Sequence, residues 1–319
     1  MGRVTLSKGL WWMIIFALVF YFVLAVVGDI GDVVRSFREF SIVFLFFILL
    51  LSLLNYNLRF IKWDFLLRQS SIYINRWTNY SIFMAGFAGT VSPGKSGELI
   101  KPLFLSDILG IPLEKTIPVF FFERLTDLIA LIFLSFLGIF VGRKDFLPIV
   151  VLGGFLIIIL FFFTNPNFWK LMFGIIGKRP QKGVFKLIYD ISVNIQDYWN
   201  LRLVLVTLFL SIISWSFEGI GYYIVFKGFN NLTATIPFFK SIFIYSVSSI
   251  FGAVSFIPGG LGIMDGSLTA FAASSGICGP IAVSSTIIIR AATLWFAFII
   301  GLGFFVYIRY KFSNNKERQ

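Results

Sequence analysis

The segment Glu123-Arg124-Leu125-Thr126-Asp127 places three charges inside an otherwise apolar run. An isolated charge at the centre of a bilayer costs roughly 2.5–3.5 kcal/mol on insertion scales, so ionisable residues at that depth are functional candidates by default. On a helix Glu123 and Asp127 share a face, with Arg124 turned about 100° from Glu123. A second arginine, Arg290, lies within the last long apolar run, and Glu98, Glu218 and Asp265 lie in or beside other apolar segments. The chemistry open to this set is the holding of an anion by guanidinium groups and the carriage of a proton by a carboxylate. The sequence has no histidine and a single cysteine, Cys278, so metal sites built on imidazole or thiolate are closed off. No nucleophile–base pair stands out. The expectation is therefore no catalytic residue, no metal and no cofactor.

Two glycine-rich breaks accompany the arginines. The first reads Gly89-Thr90-Val91-Ser92-Pro93-Gly94-Lys95-Ser96-Gly97-Glu98, and the second reads Ser255-Phe256-Ile257-Pro258-Gly259-Gly260-Leu261-Gly262. Each is followed by a short apolar stretch, a Gly-Ile pair and a long helix carrying the arginine. The Gly-Ile pairs are 276 − 110 = 166 positions apart, and so are the arginines, 290 − 124 = 166. Paired Gly/Pro interruptions in two halves of a membrane protein point to a transport site. Residues 89–96 also match the phosphate-loop pattern of nucleotide-binding proteins, but that loop needs a strand before it and a soluble sheet around it, and both flanks here are membrane-like. The general physics still applies: backbone N–H groups at a helix start attract anions. Gly94, Gly97, Gly259, Gly260 and Gly262 are expected to supply them, with Lys95 and Lys101 adding charge. Capping of the following helix is the structural alternative for Glu98 and Asp265.

The elements that must position these residues follow from composition. Hydrophobic residues make up 58% of the chain and charged residues 13%, far from the quarter charged that is usual in soluble domains. An all-α polytopic membrane protein is expected, forming a single domain over residues 1–319. Full crossings are placed near residues 10–28, 40–60, 115–141, 146–164, 203–226 and 280–308. Two re-entrant broken-helix hairpins lie between them, near 78–109 and 238–276; the arms of the first, roughly 79–92 and 97–109, are too short to span about 30 Å, while the second has a longer first arm. The first segment reads as a retained anchor, since no small-residue cleavage site follows it. Residues 165–202 form a cytoplasmic linker, with an interfacial amphipathic helix at 183–200 whose flanking Lys178, Arg179, Lys182 and Lys186 suit anionic headgroups.

Basic residues orient the chain. Arg59, Lys62, Arg68 and Arg76, the linker lysines and arginines, and the C-terminal Arg309 and Lys311 fall on one side, which the positive-inside rule makes cytoplasmic together with both termini. The net charge of +12 is absorbed by this rule and does not call for nucleic acid. Residues 40–141 and 206–307 repeat one unit of helix, hairpin and helix. Three crossings separate equivalent positions, so the copies are inverted.

These motifs together resemble the flippase-like transmembrane domain found in lysylphosphatidylglycerol synthases and in stand-alone prokaryotic membrane proteins of the UPF0104 type. The resemblance covers nearly the whole chain and rests on Pro93-Gly94-Lys95-Ser96-Gly97-Glu98 with Lys101, on Glu123 to Asp127, on Pro258-Gly259-Gly260-Leu261-Gly262, and on Arg290 before Leu294-Trp295. It implies movement of an anionic phospholipid or polyprenyl-phosphate-linked lipid between leaflets of the cell membrane. It also implies a partner lipid-modifying enzyme on a separate chain, because the sequence ends at Gln319, before any aminoacyl-transferase part is expected. A homo-oligomer is compatible with it. Relatives often carry Glu at the position of Asp265 and Arg at that of Lys101; lysine keeps the charge but loses the bidentate contact. The expected headgroup ligands are Gly94, Lys95, Gly97, Glu98, Lys101, Glu123, Arg124, Asp127, Glu218, Gly259, Gly260, Gly262, Asp265 and Arg290. A membrane enzyme acting on lipid headgroups through Glu123, Asp127 or Asp265, and a small-ion transporter, are the rival expectations.

Overall fold

A computed structural model describes residues 29–92, 97–141, 198, 200–230 and 234–316, with Val23, Val26, Gly154 and Ile158 as single further positions. The crossings expected at 10–28 and 146–164, the amphipathic helix at 183–200 apart from Tyr198 and Asn200, and the predicted ligands Gly94 and Lys95 lie outside the described residues. Within them the chain is helical, with one isolated bridge between Phe40 and Phe229 and no strand.

Ten helices carry the fold among the described residues: α1 (Ile30–Glu39), α2 (Ile42–Gln69), α3 (Arg76–Ala85), α4 (Ile100–Leu109), α5 (Leu113–Ser135), α6 (Leu201–Lys227), α7 (Phe238–Val254), α8 (Ile263–Ala273), α9 (Gly279–Arg290) and α10 (Phe296–Lys316). Two long helices, α2 and α6, are long and apolar enough to cross a membrane, and so is the combined run Gly279–Phe312. Helix α5 has 23 residues but carries Glu123, Arg124 and Asp127 near its centre. Bulky side chains left uncovered, among them Phe46, Phe133, Phe209 and Ile299, give the apolar exterior that a membrane solvates.

Sequence patterning predicted both ends of α6 and the start of α2 within two residues, but not the end of α2. That helix continues nine residues past the expected limit of 60, to Gln69. At 28 residues it is about 42 Å long. The extension takes Arg59 and Lys62 into the interior, at 4% and 0% exposure, instead of the cytoplasmic loop expected for them. The reason is that both find carboxylates inside, as shown below. Helix α1 is capped by Asp29, whose Oδ1 accepts from Gly31 N at 3.1 Å.

A long helix, a pair of shorter helices joined by a Gly/Pro-rich segment, and a further helical run follow one another twice in the described chain: α2, α3–α4, α5, and then α6, α7–α8, α9–α10. In the first hairpin α3 ends in a 3-10 turn at Gly86–Gly89, and the chain returns so closely that a Cβ on Gly89 would run into the backbone of Gly97. Ser92 Oγ donates to Gly89 O at 2.6 Å and accepts from Gly97 N. The second hairpin turns through Pro258–Gly260, where Gly259, Gly260 and Gly262 all have positive φ (62°, 67° and 89°), which only glycine adopts freely. The two halves meet along α2 and α6, where Asn55 Nδ2 donates to Ser214 O at 2.6 Å. They meet again where α10 packs on the first hairpin's turn. Two hydrophobic clusters result. One is built on Tyr56, Trp63, Phe83 and Phe87 around the first hairpin, the other on Trp215, Tyr222, Phe243 and Tyr245 around the second.

Helices α9 and α10 join through a π turn at Ala291–Trp295, directly after Arg290. A π turn loosens the backbone ladder, and such turns concentrate at functional sites. Tyr56 Oη on α2 donates to the turn's Thr293 O at 2.7 Å, tying the first half to the break in the second.

Close approach of α10 to the first hairpin predicts a contrast between two glycines two residues apart, on nearly opposite faces of the helix. A Cβ at Gly301 would strike the backbone of Phe87 and Ala88, whereas Gly303 has open space. Gly301→Ala is expected to cost about 1–3 kcal/mol, as overpacking does, and to lower the thermal midpoint in detergent. Gly303→Ala should leave the midpoint unchanged or raise it.

Candidate functional site

Seven charged side chains converge between α2, α4 and α5. Arg59 and Lys62 come from α2, one turn apart. Glu98 precedes α4, Lys101 lies in its first turn, and Glu123, Arg124 and Asp127 come from the centre of α5. Lys62 Nζ donates to Asp127 Oδ1 at 2.5 Å, to Ser211 Oγ of α6 at 2.8 Å and to Glu123 O at 3.2 Å. Lys101 Nζ donates to Glu123 Oε2 at 2.7 Å and lies 3.6 Å from Glu98. Arg59 Nη2 lies 3.4 Å from Glu98 and 3.8 Å from Glu123. Arg124 Nη2 reaches three carboxylates: Glu123 at 2.5 Å, Asp127 at 3.2 Å and Glu98 at 3.5 Å.

The local packing fits this load. Lys101 threads past Gly86, where a Cβ would lie 2.6 Å from its Cγ. Its ammonium ends 4.5 Å from the Trp63 ring, 4.8 Å from Phe83 and 5.7 Å from Phe120. Aromatic faces attract a cation most strongly once water is gone.

Four cations against three carboxylates leave an excess of one positive charge. Arg59 Nε and Arg124 Nε are buried donors with no hydrogen-bond partner among the described residues. The side chains of Arg59, Lys62, Lys101 and the three acids are at most 5% exposed, while that of Arg124 is 21% exposed. The cluster therefore opens at Arg124. An excess positive charge with unmet guanidinium donors is what a bound phosphate needs.

A smaller cluster forms around Arg290. Its Nε donates to Asp265 Oδ1 at 2.8 Å, Nη2 donates to Gly259 O at 2.5 Å, and Nη1 lies 3.3 Å from Met264 Sδ. Asp265 also accepts from Gly262 N at 3.0 Å and so caps α8. Each of the two arginines expected from the 166-residue spacing thus meets the acid near the start of its own hairpin's second arm, Glu98 or Asp265. Glu218 stands apart on α6, where its Oε2 accepts from Tyr245 Oη of α7 at 2.7 Å.

The expected ligands thus separate into groups. Glu98, Lys101, Glu123, Arg124 and Asp127 come together; Gly259, Gly262, Asp265 and Arg290 come together elsewhere. Several backbone N–H groups of the glycine breaks are taken up locally among the described residues. Gly97 N donates to Ser92, Gly260 N to Ile257 O, Leu261 N to Pro258 O and Gly262 N to Asp265. Tight turns satisfy their own donors, and the group offered to Arg290 is a carbonyl.

Sequence reasoning missed Arg59, Lys62, Ser211, Tyr56 and Tyr245. The spacing of Arg59 and Lys62, three apart on one helix face, was the available signal. Ser211 adds a chemical possibility, since its Oγ lies 2.8 Å from Lys62 Nζ and 3.0 Å from Asp127 Oδ1, a nucleophile beside a basic group. Ser211 and Lys62 are both wholly buried. Among the described residues no group of three or more His, Cys, Asp or Glu is placed to hold a metal.

Comparison with known proteins agrees with a membrane assignment. Residues 11–301 match the family model described as lysylphosphatidylglycerol synthase TM region. Two UPF0104 membrane proteins of Methanothermobacter thermautotrophicus (strain Delta H) are similar. One is 25% identical over 269 residues, covering 76% of this chain and 77% of the relative. The other is 19% identical over 298 residues, covering 85% and 87%.

Removing one partner of a buried pair is costlier than removing both. Lys62→Met is expected to lose about 3–5 kcal/mol of stability, while the double variant Lys62→Met/Asp127→Leu regains part of it. Thermal unfolding of the purified proteins, read as a double-mutant cycle, measures the difference.

Proposed function

Since the chain belongs to the lysylphosphatidylglycerol synthase TM region family, we infer that it is a lipid transporter that carries an anionic headgroup, of a phospholipid or a polyprenyl-phosphate lipid, between leaflets. The observation that carries this reading is the cluster of Arg59, Lys62, Lys101 and Arg124 against Glu98, Glu123 and Asp127, one positive charge in excess and open at Arg124. In this reading the headgroup phosphate enters beside Arg124 and takes over donors now held by Glu98 and Glu123, while the acyl chains stay in lipid. Lys101 bridges the hairpin to α5, so partner exchange at Glu123 and Glu98 loosens α4 and couples binding to hairpin movement. Arg290, released from Asp265, is the second station. With both arginines ion-paired, the arrangement described above corresponds to the unloaded, closed form.

The finer architecture belongs to the same reading. Six crossings with two re-entrant hairpins, inverted repeats over 40–141 and 206–307, and cytoplasmic termini give two halves that rock about a midplane site. The recurrence of helix, hairpin and helix, and the matching pairs Arg124–Glu98 and Arg290–Asp265, support it. The reading assigns no catalytic residue.

Reconstituted vesicles with a fluorescent anionic lipid in one leaflet test the reading. Arg124→Ala and Arg290→Ala are each expected to slow leaflet exchange at least about tenfold, the scale of one lost charge-assisted contact of 1.5–3 kcal/mol. Exchange equal to wild type in both variants would overturn it. Mass analysis of the same lipids separates an enzyme, which changes the headgroup, from a transporter, which changes only the leaflet.

A further inference from the structure

A groove of about 420 Å³ runs between α2 and α3, lined by Asn57, Phe60, Ile61, Arg76, Trp77 and Tyr80. It lies outside the charged cluster and plays no part in the translocation reading. Its walls are mostly apolar, and its one formal charge is Arg76, the first residue of α3. Arg76 is exposed, and it makes no hydrogen bond or ion pair with another described residue. Its neighbour across the loop, Arg68, is already paired with Asp64 at 2.8 Å. A second cation stands close by: Trp77 Nε1 donates to Tyr307 Oη at 3.1 Å, and Lys311 Nζ lies 5.7 Å from the Tyr307 ring. Exposed Trp77, Tyr307 and Tyr310 form the aromatic collar found at a membrane–water boundary.

We propose that this groove binds an anionic phospholipid of the surrounding leaflet, with the phosphate at Arg76 and an acyl chain along Phe60, Ile61 and Tyr80. Charge complementarity selects the occupant. Arg76 and Lys311 supply positive charge at the headgroup level, no carboxylate lines the groove, and the apolar wall continues from Arg76 along α2 as an acyl chain would. The end of the groove at the aromatic collar makes the source a membrane lipid instead of a soluble anion. A lipid held there contacts both α3 and, through Trp77, the end of α10, and so fixes the outer edge of the first hairpin.

Brominated lipids quench tryptophan on contact, and the difference between wild type and Trp77→Phe isolates the emission of Trp77. The full chain would be reconstituted in phosphatidylcholine vesicles containing rising fractions of brominated phosphatidylglycerol, or of brominated phosphatidylcholine as the control. Roughly fivefold tighter quenching by the anionic lipid is expected, the scale of one interfacial arginine. Arg76→Gln should bring that preference close to one, while Arg76→Lys keeps most of it. Equal quenching by the two lipids in wild type, an unchanged preference in Arg76→Gln, or relief of quenching by added inorganic phosphate would each overturn the proposal.

Discussion

A charge cannot stay alone at bilayer depth, and the first half of this fold is arranged around that constraint. Seven charged side chains from α2, α4 and α5 share a space from which water is largely removed. Each cation touches a carboxylate, and Glu123 touches three cations. Without the acids of α5, Arg59 and Lys62 could not lie inside α2, and the helix would have to end near its apolar limit. Without Lys101, the short helix α4 would have only apolar packing to fix it against α5. The polar contacts thus set which elements may be neighbours, while the surrounding Phe and Trp residues set how closely they pack. That division is expected where lipid is as apolar as the side chains and helix association rests on packing and polar contacts.

The two halves repeat an order of elements but not an electrostatic content. The first cluster has four cations and three acids. The second pairs one arginine with one aspartate and completes the guanidinium with the Gly259 carbonyl. A carbonyl at that position requires the chain to reverse within three residues, which the positive φ angles of Gly259, Gly260 and Gly262 allow. The N–H groups of Gly260, Leu261 and Gly262 are used within the turn. The second break thus presents a carbonyl to its arginine, whereas the first cluster carries the surplus positive charge and the guanidinium Nε donors of Arg59 and Arg124. Tyr56 joins the two, one turn from Arg59 on α2 and hydrogen-bonded to the π turn that follows Arg290.

Much of this was legible in residue types. The apolar run at 203–226 marked α6, the Gly/Pro breaks marked both hairpin turns, and the 166-residue spacing picked out two arginines that each meet a hairpin acid. The rest was not legible for separate physical reasons. Arg59 and Lys62 were assigned to a loop because a basic residue at the end of an apolar run ordinarily marks the cytoplasmic boundary. Their partners, Glu98 for Arg59 and Asp127 for Lys62, lie 39 and 65 positions away, and no local rule reports a contact across that distance. The backbone N–H groups of the breaks were expected to face an anion, yet whether a turn satisfies its own donors depends on φ and ψ values that glycine leaves undetermined. Ser211 and Tyr245 carried no signal at all, since a hydroxyl in an apolar helix most often bonds its own preceding turn.

Arg124 shows why such a cluster suits a moving part better than a single ion pair would. Breaking one buried pair strands a charge and costs several kcal/mol. Arg124 lies within 3.5 Å of three carboxylates, and Glu98 and Glu123 each have other cations nearby. In the proposed transport reading, an anion that takes Arg124 leaves the released acid with Lys101 or Arg59 as a counter-charge, and the acid returns when the anion leaves. Exchange among several partners would then lower the barrier between two arrangements that a lone pair would separate steeply, and in that reading the surplus positive charge makes the anion-bound cluster the electrically balanced one.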